Sequence, residues 1–115
     1  AVLAARDFYK ITDCEMLMTC DDFNLPLETL LLRAGGSAGG QNGLADVMTR
    51  LGSTTVPRLR LGIGPVPAGC KAADFVLGKF AKSDHGLVLA MVERAADAAE
   101  EWATRGLEAA MNRYN

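Results

Sequence analysis

Histidine is nearly missing from this chain, and that scarcity excludes more chemistry than any other feature. His85 is the only one in 115 residues, so no histidine cluster can build a metal centre. It follows Ser83-Asp84 at the start of a helical pattern, a poor place for a base and an ordinary one for an exposed first-turn residue. There is no Gly-x-Ser-x-Gly elbow to present a serine nucleophile. No Gly-Lys-Ser/Thr follows the glycine-rich stretch, so it is not a Walker loop, and its spacing does not fit a dinucleotide fingerprint. No metal and no cofactor are expected.

Cysteine is also sparse. Cys14, Cys20 and Cys70 are odd in number and fit no zinc spacing. They read as free thiols of a reducing, cytoplasmic compartment. No apolar run reaches the roughly 18 residues of a membrane span, and no signal peptide is visible. Residue 1 is alanine, so the native start and any targeting segment could lie upstream. An excess of either charge is missing too. The net charge is −2, and residues 1–60 and 61–115 each carry six basic and seven acidic side chains. A nucleic-acid ligand would need a few placed cations, not a broad positive field.

What is present is a globular composition, 50% apolar and 23% charged, in a chain the size of one domain with a modest core. Residues 1–10 read as a short helix. Residues 15–20 are an apolar strand ended by Asp21-Asp22, and residues 28–33 form another strand candidate. Residues 34–43 hold five glycines in ten positions and read as a loop. A short amphipathic helix follows over 44–52, with Gly52 at its C′ position. Residues 58–64, RLRLGIG, alternate with period two and read as a strand stopped by Pro65 and Pro67. Residues 74–80 are a short strand or turn. Ser83 is expected to cap a long helix running to about residue 103. Leu87, Val88, Met91, Val92, Ala95, Ala99 and Trp102 should line its apolar face. A last helical turn or two follows Gly106. Strands alternating with helices predict an α/β layer fold in a single domain.

Two segments stand above background as sites. In CDDFNLP, residues 20–26, carboxylates end an apolar strand, where α/β sheets place ligands; they could equally cap a turn before Pro26. In GGSAGGQNGL, residues 35–44, glycines allow close backbone approach and a helix N-terminus offers free N–H groups. That loop could also be only a tight connection, with Asn42 its N-cap. Arg33 and Arg60 could clamp one phosphate through forked hydrogen bonds, or be solvated strand-edge cations.

The order DDFNLP, Arg33, GGSAGGQNGL, PRLRLGIG, FVLGKF and MNRYN resembles the bacterial-type peptidyl-tRNA hydrolase family over nearly the whole chain. The resemblance implies a compact α/β domain with a mixed twisted sheet flanked by helices. It implies cleavage of the ester joining a peptide to the 3′ end of tRNA, recycling tRNA from aborted translation. By position, Asp21 resembles the aspartate that orients a catalytic histidine. Asn42 resembles the asparagine of the substrate groove, with Gln41, Gly39 and Gly40 beside it. Arg33 and Arg60 resemble a basic pair gripping a tRNA phosphate. Gln41 stands where the usual loop has histidine, and Glu28 where glycine is usual.

In the family, strands carrying the catalytic histidine and a Met-Asn-x-Ser-Gly segment precede the equivalent of Ala1-Val2. The chain is therefore expected to be the C-terminal portion, residues 1–115, of such a domain, with its N-terminal strands missing and that motif encoded just upstream. Alone, it is expected to be inactive and to leave sheet surface uncovered; complete, it should be a monomer acting on peptidyl-tRNA without membrane or metal. The competing reading is a non-catalytic RNA-binding module of the same fold, as in a splicing-associated relative.

Overall fold

The computed structural model describes residues 1–115. Helix α1 spans Val2–Tyr9, and a 3₁₀ turn occupies Asp13–Glu15. Strand β1 runs Met18–Pro26 and β2 runs Leu30–Arg33. Helix α2 spans Asn42–Leu51 and β3 spans Arg58–Gly64. Helices α3 (Ala72–Leu77), α4 (His85–Arg105) and α5 (Leu107–Tyr114) complete the chain. The sheet is mixed, in the order β1-β3-β2. β1 runs parallel to β3, and β2 runs antiparallel to it. The expected α/β architecture is therefore present.

Period-two alternation gives the sheet two unlike faces. Leu59 pairs with Leu32, and Leu61 with Leu30. Leu30, Leu32 and Leu59 are buried with Met91, Ala95 and Ala98 of α4 and Ala110 of α5. The small alanines let both helices lie close to the strands, where removing apolar surface from water is the main stabilising term. The opposite face carries Arg58 and Arg60, with Met18 and Cys20 beside them on β1 and Arg33 and Leu31 on β2. At the outer edge of β2, the Asn115 side chain accepts the Leu32 N–H at 2.7 Å and donates to its carbonyl at 3.0 Å. That amide takes the place of a neighbouring strand.

Several expectations are corrected. β1 does not end at Asp21-Asp22 but continues through them, because pairing with β3 carries on to Gly62 and resumes at Pro26 after an irregularity. The segment 74–80, expected as a short strand or turn, instead belongs in its first half to a helix over Ala72–Leu77, and α4 begins at His85 after a 3₁₀ turn at Lys82–Asp84 rather than on a Ser83 cap. Leu87 and Val92 are exposed instead of lining the core. Strand β3 stands as read, and helix α2 starts two residues earlier than expected, at Asn42, and ends at Leu51 with Gly52 left-handed at φ 68° after it.

Candidate active site

The site forms where the end of β1 meets the glycine loop entering α2. Two β1 side chains, Asp21 and Asn24, bond the loop directly, and a third, Asp22, acts through Arg60 and Asn24. Asp21 Oδ1 accepts a hydrogen bond from Gln41 Nε2 at 3.2 Å. Asp22 Oδ2 accepts from Arg60 Nη1 at 3.2 Å, and its Oδ1 takes the Asn24 N–H at 2.8 Å. Asn24 Nδ2 in turn donates to the Gly39 carbonyl at 3.3 Å. Successive strand residues point to opposite faces: Asp21 meets the loop directly through Gln41, and Asp22 acts on it through Arg60 and Asn24.

Gln41 is the N-cap of α2. Its Oε1 accepts the Leu44 N–H at 2.7 Å, which occupies one of the donors left free in a helix's first turn. In sequence Asn42 could be either the cap or a groove residue. With Gln41 in that place, Asn42 becomes the first residue of the helix and its side chain stays exposed. A cleft of about 400 Å³ opens at this corner. Asp21, Phe23, Gly39, Gly40, Gln41 and Asn42 line it on one side, and Ala72, Val76 and Leu77 from α3 on the other. A second groove of about 670 Å³ shares Asp21 and Val76 with it and runs past Leu27, Ile63, Phe75 and Phe80. Polar groups thus converge at one end of a largely apolar trough, the usual form of a small-molecule or peptide site.

Beneath the loop lie two buried arginines. Arg60 is 8% exposed, and it donates to Ser37 O at 2.6 Å and Ala38 O at 3.2 Å as well as to Asp22. Gly39 is left-handed, φ 61°, and a Cβ there would collide with this guanidinium. Arg58 is fully buried with no carboxylate partner. It donates to the carbonyls of Gly36 (2.9 Å), Ser37 (2.8 Å), Thr54 (3.0 Å) and Val56 (3.0 Å). Burial, and then the charge of Arg60, pull the Arg58 pKa below its ordinary value.

The expected two-arginine phosphate clamp meets a different arrangement. Arg33 and Arg60 do share a sheet face with the glycine loop, since Arg33 pairs with Arg58 and Leu31 with Arg60. Only Arg33 is exposed, however; the terminal nitrogens of Arg60 are engaged by the loop and Asp22. His85 is exposed at the start of α4 and lines neither cleft. No three His, Cys, Asp or Glu side chains gather as a metal cluster, and no helix is long and apolar enough to cross a membrane. Arg58 is the part of the site that the sequence did not single out, whereas Asp22 and Asn24 lie within the CDDFNLP segment that it did. The RLR alternation was the available signal for Arg58, because it places Arg58 and Arg60 on one face.

Comparison with known proteins agrees with the motif order. The profile of the family described as peptidyl-tRNA hydrolase matches residues 1–115. The chain is 45% identical over 117 residues to the peptidyl-tRNA hydrolase of Chlorobaculum parvum, covering 100% of this chain and 61% of that protein. It is 46% identical over 116 residues to that of Chloroflexus aggregans, covering 100% and 62%. Among solved structures, the peptidyl-tRNA hydrolase of Acinetobacter baumannii superposes with a TM-score of 0.88 at 27% identity, over 99% of this chain and 58% of that one. The chain thus spans about three fifths of the length of the curated relatives it matches.

Proposed function

Because the chain belongs to the peptidyl-tRNA hydrolase family, we propose that its cleft receives the peptidyl end of tRNA and serves hydrolysis of the ester between peptide and tRNA. Water adds to the ester carbonyl, the bond to the ribose oxygen breaks, and free peptide and tRNA leave. The observation that carries this reading is the corner where Asp21, Gln41 and Asn42 meet at the polar end of an apolar trough.

Asp21 accepts one hydrogen bond, from Gln41, and a carboxylate has acceptor positions to spare. Its remaining capacity suits the N–H of an imidazole. Holding an imidazole by that N–H fixes its tautomer and favours the cation formed when it takes a proton from water. The Asn42 amide can hydrogen-bond the peptide or the ester. The N–H groups of Asn42 and Gly43, in the first turn of α2, lack helical partners and favour negative charge on the carbonyl oxygen. Exposed Arg33 supplies a phosphate contact on the same sheet face. Gln41, engaged at both ends of its amide, holds Asp21 in place, and Gly39 and Gly40 allow the close approach. The substrate is peptidyl-tRNA, and the reaction recycles tRNA from aborted translation in the cytoplasm by a monomeric enzyme.

The test is release of free peptide from purified peptidyl-tRNA. The cleft contains no histidine, and general base catalysis is worth roughly 100- to 10,000-fold. The 115-residue chain should release no more peptide than its Asp21→Ala variant. Release that Asp21→Ala and Asn42→Ala both abolish would mean that these residues form a complete site, and that Asp21 does more than orient a base.

A further inference from the structure

We propose that Arg58 and Arg60 are positioning residues: two buried guanidiniums that fix the carbonyls of Gly36, Ser37 and Ala38, and through them hold Gln41 on Asp21. The proposal rests on the reading of Asp21, Gln41 and Asn42 as the substrate corner, and it adds what keeps that corner in shape.

Glycine loops are entropically costly to order, and residues 34–43 hold five glycines. Such a loop keeps one shape only if its backbone is tied down. Here the ties come from beneath. Arg58 Nη1 reaches Gly36 O and Ser37 O, and Arg60 reaches Ser37 O and Ala38 O. Ser37 therefore accepts from both arginines. The Ala38 carbonyl that receives Arg60 also receives the Gln41 N–H at 3.1 Å. One carbonyl thus connects the guanidinium to the residue that caps α2 and bonds to Asp21.

The arrangement is specific to arginine. Arg58 ties two loops together, Gly36 and Ser37 on one side and Thr54 and Val56 on the other. A rigid planar fork can satisfy four carbonyls set around it, and an ammonium on a flexible stem cannot match that geometry. A buried cation with no carboxylate beside it is expensive unless every donor is satisfied, and no buried side-chain nitrogen or oxygen lacks a partner here. Arg60 is set the same way, with Asp22 balancing its charge. Asp22 also holds Asn24, whose amide fixes Gly39. The loop is thus gripped at 36, 37, 38, 39 and 41.

The experiment uses Arg58→Lys, Arg60→Lys and Gly39→Ala, read by NMR on the side-chain amide of Gln41 in the ligand-free chain. The lysines keep a charge but lose the fork. The alanine pushes on the Arg60 guanidinium from the loop side without removing a cation. Losing a hydrogen bond of ordinary strength predicts hydrogen exchange at the Gln41 amide faster by about tenfold, and a shift of its signal towards that of a free glutamine. This should occur while the amides of Leu59 in the central strand and Ala95 in α4 keep their protection. Folded variants with an unchanged Gln41 signal and unchanged exchange would overturn the proposal. So would loss of protection at Gln41 and in the core to the same degree, which would make the arginines general supports of the fold. Gly39→Ala also strains a left-handed position, so should the lysine variants not fold, Arg60→Met, which keeps an apolar stem and removes every donor, decides between these outcomes. No substrate enters this measurement, so its failure would leave the reading of the cleft standing, and failure of that reading would leave this result standing.

Discussion

Gln41 bonds to Asp21 with one end of its amide and to the backbone of Leu44 with the other, at 3.2 Å and 2.7 Å. The two contacts fix which end is nitrogen and which is oxygen, since Asp21 needs a donor and Leu44 an acceptor. A single side chain therefore starts helix α2 and steadies the carboxylate of the cleft.

Gln41→Ala removes both contacts. Loss of an N-cap costs about 1 kcal/mol, which in a domain of this size lowers Tm by about 4 °C. Gln41→Glu can still cap the helix, but it replaces the donor to Asp21 with a second carboxylate. At neutral pH it should also melt below the parent chain. Thermal melts of both variants check this, and a Gln41→Glu melt equal to or above the parent would contradict the contact with Asp21.

Glu28 is left-handed, φ 78°, at the third position of a turn in which Thr29 N donates to Pro26 O at 3.1 Å. A positive φ at that position belongs to the type II turn, which selects glycine. A residue with a Cβ loses roughly 1–2 kcal/mol in this conformation. Glu28→Gly should therefore stabilise the chain, by about 1 kcal/mol after the extra freedom of unfolded glycine is subtracted. Urea unfolding measures it; a lower midpoint for Glu28→Gly would count against the turn.

Cys20 lies half-buried beneath the loop, and burial raises its thiol pKa above the ordinary value, partly opposed by the charge of Arg60. Cys14 and Cys70 are exposed. The thiolate is the nucleophile, so near pH 8 an alkylating reagent should modify Cys14 and Cys70 first and Cys20 last. The linkage has a definite sign. The unfolded chain ionises this thiol at lower pH than the folded one, so raising the pH through the ordinary thiol pKa removes stability. Mass spectrometry of timed alkylation reads the order, and Cys20 reacting first would contradict its placement.

Much of this was legible in the sequence, for physical reasons that differ by element. RLRLGIG declares itself because period-two alternation has one structural meaning when one face is apolar. Helix α2 is bounded by a glycine that takes the left-handed conformation after its last turn. DFVLGKF does not declare itself, because a six-residue helix is too short to show its period. Aspartates normally end strands, so the continuation of β1 past Asp21-Asp22 is not visible in sequence; here Gln41 of the loop takes up one and Arg60 of β3 the other. Asp21, Gln41 and Asn42 were found by motif order, and the structure brings them together. The burial of Arg60 was not legible. An arginine alternating on a strand looks the same in sequence whether water or a ring of loop carbonyls receives it, and the difference lies in the fold of residues 36–38.

The most direct test of the central claim, that the cleft receives the peptidyl end of tRNA, is the ratio of the chain's affinities for peptidyl-tRNA and for the same tRNA without its peptide. Peptidyl-tRNA should bind more tightly, and Asn42→Ala should lose that preference. Arg33→Ala should weaken both ligands alike and reduce the salt dependence, as removing a phosphate contact must. Equal affinity for the two tRNAs, unchanged by Asn42→Ala, would contradict that claim.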